Sequence, residues 1–415
     1  MKLCDVVQFY SPLGGGVKRY LEDKLRFISL QPGIEHAVII PSSRNEVGYR
    51  LHSRFYEIQS FRLIGSQSYR MLLSRRRILS IVDEERPDLI EVGDPYRSAW
   101  IALEAAERGR IPVVAFYHSD FPRALGRTIS RFCGPWVERL LSHGVERYVR
   151  DLYNRMSATV VAGRRMEYLL KECGIQRVVR IPLGTDVTVF HPHPDAGQVR
   201  EELGLDENDM LLLFVGRLAR EKNIRSLVGM MENLASRTSS RSGRYHLLLV
   251  GDGELCKFVE RTVQTRQDVT WYRYCESAER LAAYYTAADL FVHAGRYETF
   301  GITSLEAQSC GTRVLAVEGG GLDDTVSGEN PLIMAKSPDP VDLADGVRCV
   351  QDCADSQSPE ERRRRIVDHF SIRLTFERLF GLYEHILRGL PVESFAITAP
   401  PENEDELVRP AVLTG

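Results

Sequence analysis

Glu298 and Glu306 are the side chains whose types and spacing most clearly suggest chemistry, because they stand eight residues apart across a predicted strand, loop and helix. Glu298 lies in the loop after the apolar strand Leu290–Val292, and Glu306 lies on the helix after the turn Phe300–Gly301. The N–H groups at a helix start attract anions, and carboxylates beside them can bind hydroxyl groups of a sugar or a ribose. The alternative is an ordinary loop carboxylate and an ordinary helix-surface carboxylate.

A pair of cations follows another predicted strand. Arg217 and Lys222 come after the apolar run Leu211–Val215. In parallel sheets, ligands bind beyond the carboxyl ends of the strands. The planar fork of an arginine and the point charge of a lysine together suit a diphosphate. The alternative is that both residues are ordinary surface cations.

Glycines after the first predicted strand could bring backbone N–H groups close to a phosphate. A dinucleotide fingerprint on Gly14–Gly16 also needs glycine at position 19, where the chain has Arg19. A second run, Gly251–Gly253, fails because Cys256 stands where the third glycine is required. These departures argue against an NAD enzyme, and the lack of a Walker-type loop in the sequence argues against a P-loop nucleotidase. A flexible loop at Gly14–Gly16 is the alternative.

Two histidines end predicted strands. His118 follows Val113–Tyr117 and precedes a turn at Pro122. At the carboxyl end of a strand it is predicted to face the ligand rather than the core, with a structural histidine as the alternative. His293 ends Leu290–Val292 in the same way.

Length and composition narrow the class of protein. A chain of 415 residues predicts two domains. The net charge of −3 gives no argument for nucleic-acid binding. Apolar runs fall short of the ~20 residues that span a bilayer, and the N-terminus has no signal-peptide pattern. The 8 cysteines include no C-x-x-C pair, so free thiols in a reducing cytoplasm are expected.

Predicted strands alternate with predicted helices, which indicates parallel pairing and doubly wound sheets. The candidate strands of the first half are Leu3–Phe9, Ala37–Ile40, Tyr56–Ser60, Leu89–Val92, Val113–Tyr117, Thr159–Val161 and Val178–Ile181. Helices are predicted between them, among others at 17–30, 67–84 and 97–108. The candidate strands of the second half are Leu211–Val215, Leu247–Val250, Val269–Tyr272, Leu290–Val292 and Val314–Val317.

The predicted fold class is therefore α/β, with two Rossmann-like domains, a linker near Pro182–Pro194 and a ligand cleft between the domains. Residues 359–388 are predicted to be helical with a break near Ser371, and 391–415 lack periodicity. The predicted domains are 1–188 and 189–370, followed by a helix at 371–388 and a flexible tail at 389–415.

Taken together, these motifs resemble the family of retaining GT-B glycosyltransferases (family 4, glycosyl transferases group 1). This large family includes mannosyl-, glucosyl- and sulfoquinovosyl-transferases and sucrose synthases. Glu298–Ala307 is similar to its E-x7-E motif, and Phe214–Leu218 with Lys222 is similar to its diphosphate motif. Gly15–Gly16 with Arg19 looks like its N-terminal loop, and the likeness covers roughly residues 1–388.

A last match, Ile181–Asp186, resembles the stretch before the family's linker, with Leu183 and Thr185 departing from its pattern. The resemblance implies two Rossmann-like doubly wound sheets facing across a cleft. It also implies that the helix at 372–388 crosses back to the first domain.

Roles for individual residues follow from the resemblance. It implies that Glu306 binds the ribose of the donor nucleotide and that Glu298 binds the transferred sugar. Arg217 and Lys222 are then expected to neutralise the leaving diphosphate, and His118 is expected to line the sugar and acceptor site. The remaining donor-binding groups implied by the resemblance are the backbone N–H groups around Phe300, Gly301 and Ile302 and the glycines Gly15 and Gly16.

The expected reaction needs no metal or other cofactor. The sequence has no Asp-x-Asp metal motif, and cations with helix N–H groups can stabilise the charge on a departing diphosphate. The family retains the anomeric configuration, so we expect attack on the same face, with the leaving phosphate helping to take the acceptor's proton.

The acceptor is the least determined partner. Two basic stretches, Arg70–Arg77 and 123–156, alternate with apolar residues, as in helices that lie on anionic membranes. A lipid or glycan acceptor and peripheral contact with the inner face of the membrane would suit that pattern, as would a solvated helix face. The expected partners are a nucleotide-sugar donor and a lipid, glycan or small-molecule acceptor, in the cytoplasm.

Two classes of function are consistent with the sequence. The leading one is a hexosyltransferase that uses GDP-mannose or a UDP-hexose, and the pattern Tyr117–Asp120 resembles that of lipid- and mannose-directed members. The alternative is a GT-B nucleotide-sugar epimerase or a catalytically silent glycan-binding module.

Overall fold

A computed structural model describes residues 1–10, 15–63, 69–118, 135–235, 243–275, 277–326, 334–353 and 357–396, without the side chains of 135–142. The chain divides into two compact units. Unit 1 is Met1–Pro182 with the described residues from Thr375 onwards, and unit 2 is Leu183–Leu374.

Unit 1 alternates strands and helices. Its elements up to residue 180 are β1 (Lys2–Val6), α1 (Gly16–Ser29), β2 (Glu35–Ser42), β3 (Glu46–Arg50), β4 (Ser53–Gln59), β5 (Phe61–Arg62), β6 (Arg70–Met71), α2 (Arg75–Glu85), β7 (Leu89–Val92), α3 (Arg97–Gly109), β8 (Val113–Phe116), α4 (Pro135–Tyr153), β9 (Ala158–Val161), α5 (Arg164–Glu172) and β10 (Val178–Arg180). Every residue of β7, β8 and β9 is buried. Full burial is typical of parallel strands that helices cover on both faces.

The order of strands in unit 1 creates a ligand-binding position. The eight-stranded sheet runs β10-β9-β8-β7-β1-β2-β4-β3, and only β3 pairs antiparallel with its neighbour. From β1 the chain continues towards β2, and from β7 it continues towards β8, in opposite directions across the sheet. The carboxyl ends of β1 and β7 therefore flank a topological switch point, where open α/β sheets bind ligands.

Unit 2 repeats this plan. Its elements are α6 (Ala196–Glu202), β11 (Met210–Val215), a 3-10 turn (Arg220–Lys222), α7 (Ile224–Ala235), β12 (Tyr245–Val250), α8 (Cys256–Thr265), β13 (Val269–Tyr272), α9 (Ala278–Ala287), β14 (Leu290–His293), α10 (Ile302–Ser309), β15 (Arg313–Val317), α11 (Asp323–Val326), β16 (Met334–Ala335), α12 (Pro340–Asp352) and α13 (Pro359–His369). The six-stranded sheet has the order β13-β12-β11-β14-β15-β16, and its strands pair in parallel. Its switch point lies between β11 and β14. The predicted α/β class, with two doubly wound parallel sheets, is confirmed.

The last long helix, α14 (Ile372–Leu387), belongs to unit 1 from Thr375 onwards. The Thr375 hydroxyl donates to the carbonyl of Pro182 at 3.0 Å, and the Tyr383 hydroxyl donates to the carboxylate of Glu91. A 3-10 turn, Val392–Ser394, follows the helix. Residues 389–396, predicted to begin a flexible tail, are therefore ordered, and 397–415 lie outside the described residues.

The structure corrects several predicted elements. The helix predicted at 67–84 begins only at Arg75, because Arg70–Met71 pairs with Phe61–Arg62 as a small antiparallel ladder. The side chain of Gln8 reinforces that ladder by donating to the carbonyl of Arg70 at 2.8 Å. The strands β3 and β16 were not predicted from the sequence. Among the described residues, no helix is long and apolar enough to cross a membrane.

Candidate functional site

Lys222 and Glu298 form an ion pair at the switch point of unit 2. Lys222 ends the 3-10 turn after β11, and Glu298 lies in the loop after β14. Both side chains are largely buried, at 16% and 21% exposure. The fold thus brings together two residues that the sequence places 76 positions apart.

Close backbone packing holds these two loops in place. The side-chain amide of Asn223 donates to the carbonyl of Ala294 at 2.8 Å and ties the turn after β11 to the loop after β14. Gly321 supports the same loop from the other side, because a Cβ atom built on it would lie 1.8 Å from the carbonyl oxygen of Glu298. Only a glycine allows this approach. The glycine run after β15 therefore helps to position Glu298.

His293, the last residue of β14, contacts the same carboxylate. Its Nε2 atom lies 3.6 Å from Oε2 of Glu298, and its Nδ1 atom is buried without a hydrogen-bond partner among the described residues. Burial lowers the pKa of His293, although Glu298 opposes that shift. Burial also pushes the pKa of Glu298 upwards, but Lys222 and His293 hold it well below its usual range. Glu298 is therefore an anion beside a neutral imidazole at neutral pH.

The helix α10 begins directly after this loop. Gly301 is its N-cap, with a φ of 85°, and no side chain within the described part of the chain caps it. The preceding Phe300 is 2% exposed and anchors the turn in the core. The first helical residue, Ile302, is only partly buried, and N–H groups at a helix start can bind an anion.

Glu306 occupies a different environment from Glu298. It is fully buried on α10, and the Tyr285 hydroxyl donates to its Oε2 atom at 2.7 Å. The side chain predicted to bind a ribose is therefore enclosed and already accepts a hydrogen bond from Tyr285. The eight-residue spacing predicted two similar carboxylates, whereas the fold exposes only the first of them.

Arg217 lies near the surface of the same edge of the sheet. Its side chain is 65% exposed and pairs with Glu221 at 2.9 Å. The two predicted phosphate ligands are thus held differently, because the side chain of Lys222 is itself largely buried whereas that of Arg217 is exposed.

The predicted residues of unit 1 lie at the carboxyl edge of its sheet. Gly15 is the N-cap of α1, with a φ of 115°, and Gly16 is the first residue of that helix. Gly14 lies outside the described residues. His118 follows β8, and its ring stacks on Phe116 with centroids 4.5 Å apart. A small pocket beside it is lined by Tyr20 and Gly93, among others.

His118 is neutral at physiological pH. Burial and the positive charge of Lys24 lower its pKa to about 3, with Asp5 opposing. It can therefore exchange hydrogen bonds with a ligand, but it does not act as a cation.

A buried ionic cluster lies near His118 in unit 1. Lys24 is fully buried, and its Nζ atom lies 2.9 Å from both Asp5 and Glu91. Glu91 also accepts hydrogen bonds from Tyr20, at 3.1 Å, and from Tyr383 of α14. The cluster thus joins β1, α1, β7 and α14.

Sequence reasoning missed one residue at the switch point of unit 1. Asp94 follows β7 in the run Gly93–Asp94–Pro95 and is 5% exposed. Its Oδ2 atom is buried and lacks a hydrogen-bond partner among the described residues. The available signal was a polar residue at the end of an apolar strand, but a Gly-Asp-Pro run also predicts an ordinary turn.

The structure describes only part of the two basic stretches that were predicted to contact a membrane. In the first, Arg75 pairs with Glu104 of α3. In the second, 123–134 lie outside the described residues, and the side chains of 135–142 are not described.

Two family models match successive parts of the chain. The model "Glycosyltransferase Family 4" matches residues 14–189. The model "Glycosyl transferases group 1" matches residues 195–367, which contain Arg217, Lys222, Glu298 and Glu306. Together they match most of both units.

Relatives with named activities match over most of their length. A GDP-mannose-dependent alpha-mannosyltransferase of Corynebacterium glutamicum is 25% identical over 338 residues, or 80% of this chain and 76% of the relative. A protein of the same name from Mycolicibacterium smegmatis is 27% identical over 93% of this chain and 98% of its own. A GDP-mannose-dependent alpha-(1-6)-phosphatidylinositol dimannoside mannosyltransferase of Mycobacterium tuberculosis is 23% identical over 91% and 93%.

Solved structures share the two-unit fold. Sucrose-phosphate synthase from Thermosynechococcus elongatus superposes with a TM-score of 0.74 over 94% of this chain and all of its own, at 21% identity. The Anabaena protein HepE, in complex with UDP and glucose, superposes with a TM-score of 0.69 over 92% and 99%, at 18% identity.

Proposed function

The chain belongs to the GT-B glycosyltransferases of family 4 and is a hexosyltransferase that uses a nucleotide-sugar donor, and on that premise we propose that it transfers mannose from GDP-mannose to an acceptor hydroxyl, with retention and without a metal. The observation that carries the proposal is the Lys222–Glu298 pair beside the start of α10. The choice of donor is supported by relatives named as GDP-mannose-dependent enzymes.

The geometry of unit 2 suits the departure of a diphosphate. As the bond between the sugar C1 and the phosphate oxygen breaks, negative charge develops on the phosphate. Lys222, Arg217 and the N-terminal N–H groups of α10 surround that charge with preorganised positive ends, which is the main way in which enzymes stabilise such transition states. These groups carry out the task that a metal ion performs in other transferases, which supports metal independence.

Glu298 acts on the sugar rather than on the phosphate. Its carboxylate stays ionised and lies next to Lys222, so it accepts hydrogen bonds from sugar hydroxyl groups and directs C1 towards the leaving group. The acceptor oxygen bonds to C1 on the face from which the phosphate departs, and its proton passes to a phosphate oxygen. We assign His118, neutral and at the carboxyl edge of unit 1, to the side of the acceptor.

The proposal also covers the class of acceptor and the location of the enzyme. A relative named for phosphatidylinositol dimannoside supports a lipid-linked or polyhydroxylated acceptor at the inner face of a membrane, which the enzyme would contact peripherally in the cytoplasm.

Nucleotide release from GDP-mannose, GDP-glucose, UDP-glucose and UDP-galactose by the purified protein tests the proposal. We expect GDP-mannose to be hydrolysed fastest, equally well in EDTA, and proton NMR to show α-mannose as the first anomer released. Release of β-mannose would contradict retention. Recovery of an epimerised sugar nucleotide, or no release from any donor, would favour the epimerase or the silent glycan-binding module.

A further inference from the structure

Asp94 lies where an open α/β sheet binds ligands. It follows β7, whose neighbour β1 is the other strand of the switch point in unit 1. The loop after β1 contributes Phe9, whose backbone N–H donates to the Asp94 carboxylate. The loops after β1 and β7, which border the crevice, thus meet at the Asp94 side chain.

The unpaired carboxylate oxygen of Asp94 contrasts with a buried carboxylate three residues earlier in the chain. Glu91 is 4% exposed, and Lys24, Tyr20 and Tyr383 all bind it. Asp94 is equally buried, yet Oδ2 has no partner among the described residues. Buried polar atoms are almost always hydrogen-bonded, and each exception calls for an explanation, such as a functional role. The contrast therefore points to a ligand group as the missing partner of Oδ2.

Aromatic side chains line the approach to Asp94. The Phe9 ring contacts Tyr96 edge-to-face at 4.9 Å and Tyr69 at 5.5 Å, and all three are partly exposed. A Cβ atom built on Gly15 would lie 3.5 Å from the Tyr69 hydroxyl, so Tyr69 borders the start of α1. The buried hydroxyl of Tyr153 also lacks a partner within the described structure. Aromatic side chains can pack against the C–H groups of a ligand, and a neighbouring carboxylate can accept hydrogen bonds from its O–H groups. This combination suits a sugar or cyclitol ring.

We propose that Asp94 binds a hydroxyl group of a polyhydroxylated acceptor ring that packs against Phe9 and Tyr96. Oδ2 is buried, so the hydroxyl reaches it when the Asp94 side chain rotates. The inference rests on the proposed function, because the acceptor is the second substrate of the transfer. It names the acceptor's chemistry as a ring with several hydroxyl groups, either free or as a lipid headgroup.

The test compares Asp94→Asn with Asp83→Asn, the same change at an exposed position of α2. GDP-mannose is the donor, and methyl α-D-mannopyranoside and myo-inositol are the acceptor probes. At pH 8, where Asp94 is ionised, the ratio of transfer to hydrolysis in Asp94→Asn should fall about 10- to 100-fold, the cost of one hydrogen bond to a charged group. In Asp83→Asn the ratio should not change.

Saturation-transfer NMR of the two probes, without donor, gives a readout that does not depend on turnover. Both Asp94→Asn and Phe9→Leu, which removes a ring and keeps the backbone N–H, should give weaker saturation-transfer signals than the wild-type protein.

A wild-type protein that binds neither probe, or an Asp94→Asn protein that binds and transfers normally, overturns the inference. Probe binding without any nucleotide release would overturn the proposed function and leave this site standing. An acceptor carried on a lipid would show a lower KM than the free ring with the same dependence on Asp94.

Discussion

Lys222 and Glu298 pair across the carboxyl ends of β11 and β14, so the side chains predicted to bind phosphate and sugar are bound to each other. Burial pushes the pKa of Glu298 upwards, but Lys222 and His293 hold it well below its usual range, so the carboxylate stays ionised in a largely buried setting. Under the proposed function, we expect a bound donor to share Lys222 with Glu298, which would link the position of the sugar to that of the diphosphate.

Lys222→Ala should lower kcat/KM for GDP-mannose about 10²- to 10³-fold, the usual effect of removing one preorganised transition-state donor. The loss also leaves Glu298 without its cation. Arg217→Ala is the matched control, because the side chain of Arg217 is 65% exposed where it pairs with Glu221, and its loss should cost about tenfold or less. Steady-state kinetics of both variants check this, and equal losses would contradict the assigned difference between the two cations.

Glu298→Gln should slow turnover and leave GDP binding equal or tighter. The amide keeps the shape of the side chain but no longer neutralises Lys222, so the lysine interacts more strongly with the diphosphate. The loss of hydrogen bonds from sugar hydroxyls to a charged group should reduce kcat about 10- to 100-fold. Calorimetry with GDP and single-turnover kinetics measure the two effects separately. Near-normal turnover would show that Glu298 does not bind the sugar.

Gly301→Ala should destabilise unit 2. The φ of 85° costs an L-residue about 1–2 kcal/mol, and the added Cβ would lie 2.7 Å from Cγ of Leu322. Gly197→Ala, at an exposed position of α6 with no atom near the new Cβ, should instead stabilise by about 0.4–1 kcal/mol. Urea unfolding of both variants should therefore give free-energy changes of opposite sign.

Sequence patterns predicted the fold class because fully buried parallel strands are continuous apolar runs, such as β11 and β14. They also placed Lys222 and Glu298 at the ends of those strands. They did not predict β3, whose residues are mostly exposed, or the late start of α2, which depends on the side chain of distant Gln8. Such elements depend on tertiary partners rather than on local periodicity.

The same dependence on tertiary partners explains which features of Glu306 and Asp94 the sequence patterns did not predict. Spacing could not show that Tyr285 buries and binds Glu306. It could not show that Asp94 lacks a partner either, because its surroundings come from Phe9 and Tyr96 in different segments of the chain. The position of a residue along a strand can therefore be predicted from sequence, whereas the burial and hydrogen bonding of its side chain cannot.

Asp94 should make the wild-type protein less stable as the pH rises from 5 to 8. Burial raises its pKa to about 7, with the Phe9 N–H opposing. Between the ordinary carboxyl pKa and 7, the folded state holds a proton that the unfolded state releases, so the free energy of unfolding falls with pH. Asp94→Asn removes this effect and should gain about 2–3 kcal/mol relative to wild type between pH 5 and 8. Urea unfolding at the two pH values measures the gain, and a pH-independent difference would contradict the shifted pKa.

Lys24→Met should strongly destabilise unit 1, because it leaves Asp5 and Glu91 buried without the cation that lies 2.9 Å from each. Removing one partner of a buried ionic cluster costs about 3–5 kcal/mol. Lys171→Met is the control, since Lys171 is 54% exposed and pairs with Glu167 within α5, and its change should stay within about 0.5 kcal/mol. Because Glu91 also binds Tyr383, the loss of Lys24 should loosen α14 as well. Hydrogen exchange of α14 amides should therefore accelerate in Lys24→Met and not in Lys171→Met, whereas unchanged exchange would mean that apolar packing alone holds the helix.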